Sequence, residues 1–111
     1  MVWNITRAEL KEKIISGDKF YLIEIESAEH TKQAHIPGAL RIPLGEIREH
    51  AEKVLLNKSP DLVFFCQDDS CPCAGEARDI FTTMGYESIR HYSKGVEDWV
   101  GAGLPFVVEE S

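Results

Sequence analysis

No apolar run in this 111-residue sequence approaches the roughly 20 residues that a helix needs to cross a bilayer. The opening MVWNITRAEL lacks the basic segment and following apolar stretch of a secretory signal. The expectation is therefore a cytoplasmic protein with no membrane partner. Positive charge is in short supply too. Twelve Lys and Arg stand against nineteen Asp and Glu, a net charge of −7, and no basic patch stands out. A nucleic acid would be repelled on average, so it is not an expected partner. Internal repeats, low-complexity tracts and long linkers are absent, and the length suits one domain over residues 1–111. What is present is 43% hydrophobic residues, enough for one real core.

Cysteine is scarce, and all of it is in one place. The segment FFCQDDSCPCAGEA holds Cys66, Cys71 and Cys73, the chain's three cysteines. In a reducing compartment clustered thiols are more often reactive or metal-binding than structural disulfides. A structural zinc site needs four ligands from paired elements. A second cysteine pair is missing here, and His30, His35, His50 and His91 are scattered, so no metal is expected. Two readings of Cys71 stay open. It forms a reversible disulfide with Cys66, or it is loop filler, as Cys73 is at the start of the next helix.

The pattern along the chain is one of alternating strands and helices. A short strand near Val2–Ile5 leads to Thr6, which with Glu9 makes a capping box. Leu10, Ile14 and Ile15 fall on one helical face, and Gly17 ends that helix. FYLIEI reads as a buried strand, and HIPGALRIP as a turn, a brief strand and a stop. Leu44, Ile47, Ala51, Val54 and Leu55 have helical spacing. DLVFF is a strand ending at Cys66. The helix from about Cys73 to Met84 turns Ala77, Ile80, Phe81 and Met84 inward. ESIRHY is a further strand, and GVEDWV a short helix. Such alternation predicts an α/β fold with a parallel sheet.

In parallel sheets ligands bind beyond the carboxyl ends of the strands. Cys66 stands at such an end, shortly before a helix whose unpaired N–H groups and partial positive charge favour an anion. Position alone therefore nominates Cys66 as a nucleophile whose thiolate is favoured.

In order and spacing, ELKEKIISGDKFYLIEI, HIPGALRIP, FFC, GYESI and KGVEDWVGAGLP resemble the rhodanese homology domain over nearly the whole chain. The resemblance implies a small, mostly parallel central sheet with helices on both faces. It also implies a sulfurtransferase. The cysteine takes the outer sulfur of a sulfane-sulfur donor as a persulfide, and a thiol or protein acceptor removes it. No metal or organic cofactor is needed. By position Cys66 is the catalytic cysteine, and Gln67, Asp68, Asp69, Ser70 and Cys71 supply the loop amides that face the substrate.

The sequence departs from the family pattern in several places. The loop CQDDSCPC holds no Arg and two acids, which disfavours a dianion such as thiosulfate and argues against classical thiosulfate:cyanide activity. Asp-Val-Arg becomes Glu24-Ile25-Glu26. A glycine pair becomes Lys94-Gly95, and Lys94 is a substrate-binding candidate at the rim. The resemblance makes His35 a structural turn residue, while Trp99 and Leu104 are expected to close the core. Two alternatives to sulfur transfer remain, a non-catalytic binding module of the same fold and a thiol-redox domain using Cys66 and Cys71.

Overall fold

The computed structural model describes residues 2–26, 33–67 and 73–109. Its elements are β1 (Val2–Asn4), α1 (Arg7–Ser16), β2 (Tyr21–Glu26), β3 (Gln33–His35), β4 (Leu40–Pro43), a single 3-10 turn (Leu44–Glu46), α2 (Ile47–Val54), β5 (Asp61–Phe65), α3 (Cys73–Thr83), β6 (Ser88–His91), α4 (Gly95–Gly101) and β7 (Val107–Glu109). Five strands pair in the order β1-β6-β5-β2-β4, and every pairing among them is parallel. β3 and β7 form a separate antiparallel pair, His35 opposite Val107, which the sequence reading did not anticipate.

The central strands are apolar on both faces because helices cover both. Leu62 and Phe64 of β5 pack with Ile47, Ala51, Ala77 and Phe81 from α2 and α3. Val63 and Phe65, one residue out of step, pack with Leu10 of α1 and with Val96 and Trp99 of α4. Alternation along a strand sends neighbouring side chains to opposite faces, so a single strand feeds both cores. Trp99 is buried and its indole N–H donates to the Pro105 carbonyl at 2.8 Å, while Leu104 packs against the same cluster.

The first helix is capped as its sequence requires. Thr6 Oγ1 accepts from the Glu9 N–H at 3.1 Å, and the Glu9 carboxylate accepts from the Thr6 N–H at 2.9 Å. Gly17 closes the helix at a φ of 75°, the left-handed region where a Cβ is unwelcome.

Three inward expectations need correction. In α1 only Leu10 is buried, while Ile14 is 38% and Ile15 67% exposed. These two reach past the sheet and line an open apolar groove of about 270 Å³ with Ile36, Pro37, Trp99 and Leu104. Val54 is 53% exposed because α2 stops there. The chain leaves helical geometry at Leu55 (φ −104°, ψ 59°), and Leu55 takes the inward position. Among the described residues no helix is long and apolar enough to cross a membrane.

Candidate active site

Cys66 follows the last residue of β5, the strand between β6 and β2 in the sheet. It is buried, only 3% exposed. Its backbone is held from one side. The Val96 N–H donates to the Cys66 carbonyl at 3.1 Å, and the Glu97 N–H donates to the Gln67 carbonyl at 2.8 Å. The first-turn N–H groups of α4, which have no partner within the helix, are thus spent on the residues that leave β5. In a trans peptide the C=O and N–H point in opposite directions. With the Cys66 carbonyl turned to α4, the Gln67 N–H points away from α4.

The approach of α4 depends on a turn. Tyr92 N–H donates to the Phe64 carbonyl at 3.0 Å, and Gly95 N–H to the Tyr92 carbonyl at 3.3 Å. Gly95 sits at φ 67°, where glycine is favoured, whereas Lys94 has an ordinary φ of −78°. The second position of the pair is therefore the one that needs glycine, and a lysine at the first carries no backbone strain.

On the other side of Cys66 lies a buried polar chain that begins in β2. Glu24 is 1% exposed, and its register partner on β4 is Arg41. Arg41 Nη1 stands 3.1 Å from His35 Nε2, and His35 Nδ1 stands 2.7 Å from Glu24 Oε2. Arginine has no acceptor, so Arg41 donates to Nε2 and the imidazole proton is on Nδ1, donating to Glu24. The Gln67 carboxamide nitrogen donates to the same Glu24 oxygen and to the Ala34 carbonyl, both at 3.3 Å. Burial raises the Glu24 pKa above the ordinary carboxylate value. The hydrogen bond from His35 and the charge of Arg41 oppose that, and Glu26 adds to it.

The structure places Cys66 and Gln67 together at the end of β5. Asp68, Asp69, Ser70 and Cys71 lie outside the described residues. Lys94 is exposed at the start of α4 and lines an open cavity of about 420 Å³ with Asn4, Thr6, Arg7, Ser93 and Asp98. That cavity sits at the carboxyl ends of β1 and β6. Arg78 lies on the exposed side of α3 beside Asp79, at 3.5 Å. His91 is stacked on Phe64 with ring centroids 4.7 Å apart, and burial lowers its pKa, helped by the charge of Arg78. Among the described residues no three His, Cys, Asp or Glu side chains gather as a metal-holding group. In the sequence Glu24 stood out only as part of the departure from Asp-Val-Arg, with no role given to it, and Arg41 was not singled out. The available signal was an acid between Ile23 and Ile25 in a strand expected to be buried, a costly residue to bury unless partners are supplied.

Residues 6–102 match the family described as the Rhodanese-like domain. The chain belongs to that family. It is 33% identical over 101 residues to the HTH-type transcriptional regulator Rv0324 of Mycobacterium tuberculosis, covering 91% of this chain and 43% of the regulator. It is 28% identical over 109 residues to the thiosulfate:glutathione sulfurtransferase of Homo sapiens, covering 86% of this chain and 91% of that one. A crystal structure of a Bacillus halodurans protein superposes with a TM-score of 0.79 at 24% identity, over 97% of this chain and 77% of the other. This rhodanese-like domain spans 43% and 50% of the length of two of the curated relatives it matches.

Proposed function

We propose that this rhodanese-like domain moves sulfane sulfur through a persulfide on Cys66. The observation that carries the reading is the clamped backbone at the end of β5. With the carbonyls of Cys66 and Gln67 bound by α4, the N–H of the peptide after the thiol is directed away from α4, an orientation that suits a loop whose amides face an anionic sulfur. Membership of the family and the names of its sulfurtransferase members support the same reading.

The step balances without a redox partner. The Cys66 thiolate attacks the outer, sulfane sulfur of a donor, a new S–S bond forms, and the old S–S bond breaks. The donor's remaining thiolate or sulfite leaves with the electron pair. An acceptor thiolate then attacks the outer sulfur of the Cys66 persulfide, and the Cys66 thiolate is released. Gln67 to Cys71 supply loop amides, and Lys94 offers a cation at the rim. Asp68 and Asp69 disfavour a dianionic donor, so the donor is an organic persulfide or polysulfide and the acceptor a small thiol or a protein cysteine.

Intact-mass spectrometry after exposure to a polysulfide tests this. A gain of one sulfur that maps to Cys66 and disappears on addition of excess thiol is expected. A protein that gains no sulfur at Cys66 from polysulfide, organic persulfide or thiosulfate is not a transferase.

A further inference from the structure

Gln67 is gripped from two directions at once. Its main-chain carbonyl is bound by the Glu97 N–H of α4, and its side chain is bound to Glu24 of β2 and to the Ala34 carbonyl of β3. Both side-chain partners are acceptors, so the carboxamide can sit there only with its nitrogen inward. The grip on Glu24 is itself fixed. Glu24 is held by His35, and His35 by Arg41, at distances of 2.7 and 3.1 Å. Burying a carboxylate among aliphatic side chains is costly even when it is paired, and a packed apolar residue in its place is often no less stable. Stability alone therefore gives little reason for Glu24. Its other oxygen, Oε1, has no hydrogen-bond partner among the described residues. The chain does end on the residue that follows the thiol.

We propose that Gln67 is a positioning residue: its carboxamide, hung on the Glu24–His35–Arg41 chain, fixes the peptide plane that follows Cys66 and so sets the reactivity of the thiol. The proposal rests on the reading of Cys66 as the sulfur-accepting nucleophile. Gln67 touches neither donor nor acceptor through its side chain. It acts by orienting its own N–H, the first amide beyond the thiol. Among the described residues, the charged and titratable groups that act on Glu24 are His35 from β3, Arg41 from β4 and Glu26 from β2 itself.

Two variants and two readouts decide it. Gln67→Leu removes the anchor and is expected to slow single-turnover sulfur acceptance by about tenfold or more, the scale on which small misplacements act. Gln67→Glu sets a second carboxylate against Glu24. The pair can bond only by sharing a proton, so the rate of this variant relative to wild type at the same pH should recover on mild acidification. A residue without this role predicts the reverse trend in that ratio, because an added carboxylate beside the thiol disfavours the thiolate and its effect fades only as pH rises. The second readout is alkylation of Cys66 by iodoacetamide, followed by peptide mapping, which needs no sulfur donor. It should be slowed in Gln67→Leu and show the same acid recovery in Gln67→Glu. If the wild type accepts no sulfur, the transferase reading fails and the alkylation rates still judge the anchor. Wild-type rates and pH profiles in both variants overturn the positioning role.

Discussion

The Val96 N–H donates to the Cys66 carbonyl at 3.1 Å, so the first turn of α4 holds the backbone of the residue proposed to carry sulfur. The neighbouring bond, from Glu97 N–H to the Gln67 carbonyl, can be removed without touching the core, because the Glu97 side chain is exposed. Proline is tolerated in a first helical turn but has no N–H. Glu97→Pro should cost about 1–3 kcal/mol, as expected when a backbone acceptor loses its donor, and should slow sulfur acceptance. Glu97→Ala, which keeps the N–H, should do neither. Urea melts and single-turnover assays of the pair check this, and equal behaviour of the two variants argues that the backbone bond is idle.

Cys66→Ser should abolish sulfur uptake, while Cys73→Ser should keep most of it, since α3 has already begun at Cys73. Mass mapping of labelled sulfur after polysulfide treatment distinguishes them. Uptake by Cys66→Ser at the wild-type rate removes Cys66 from the mechanism.

Asp68 and Asp69 follow the thiol within three residues. Replacing both with Asn should speed the reaction with thiosulfate more than with an uncharged organic polysulfide. The difference should narrow as salt rises, because exposed charges are screened over about 8–10 Å at physiological ionic strength. A salt-independent gain, equal for both donors, would point to loop conformation instead of charge.

Asp98 joins Tyr92 and Arg7. The Tyr92 hydroxyl donates to it at 2.6 Å, and the guanidinium reaches both its oxygens at 2.9 and 3.1 Å. The Tyr92 bond first, and then Arg7, hold the Asp98 carboxyl below its ordinary value, and the Ser88 hydroxyl leads the same effect at Asp61. A depressed carboxyl stabilises the fold above the unfolded value, about pH 4, and that contribution is lost as pH falls through the folded value. Between the two values the unfolded chain binds more protons, so stability rises with pH. Asp98→Asn should lower the urea midpoint near neutrality and flatten its fall in acid. A variant with the wild-type acid slope shows that Asp98 does not contribute to it.

The outward turn of Ile15 gives a further test. Ile15→Lys should change stability by no more than about 0.5 kcal/mol, as surface substitutions do, whereas Leu10→Ala should cost about 2–5 kcal/mol. Comparable losses in urea melts would mean that Ile15 is covered by something in solution.

These contrasts show where the sequence was informative. The capping box, Gly17, the strand at DLVFF and the placing of Cys66 rest on local chemistry, and local chemistry is what a single sequence displays. Helical spacing put Leu10, Ile14 and Ile15 on one face, but how much of that face the sheet covers depends on where α1 sits against β5. Leu55 is buried as its spacing suggests and Val54 is not, because the helix end is set by tertiary fit. The β3–β7 pairing joins short segments more than seventy residues apart, too short for any period to show. The role of Glu24 was hidden for a different reason. Its cost is met by His35, Arg41 and Gln67, each on another element, and no pattern along β2 announces them.

The order of strands also sets the order in which the chain can be finished. β1 is first in the sequence and pairs in the sheet only with β6, which begins at Ser88. An emerging chain can assemble β2 with β4, and then with β5, while its amino-terminal strand still has no neighbour. Closing that last seam means joining the two most distant stretches of the sheet, and contacts of such long sequence separation are slow to form. Until then β6 presents a bare edge, open to strands of other chains. Conditions that delay or weaken docking of Val2–Asn4 should therefore show up as aggregation during refolding before they show up as lost stability.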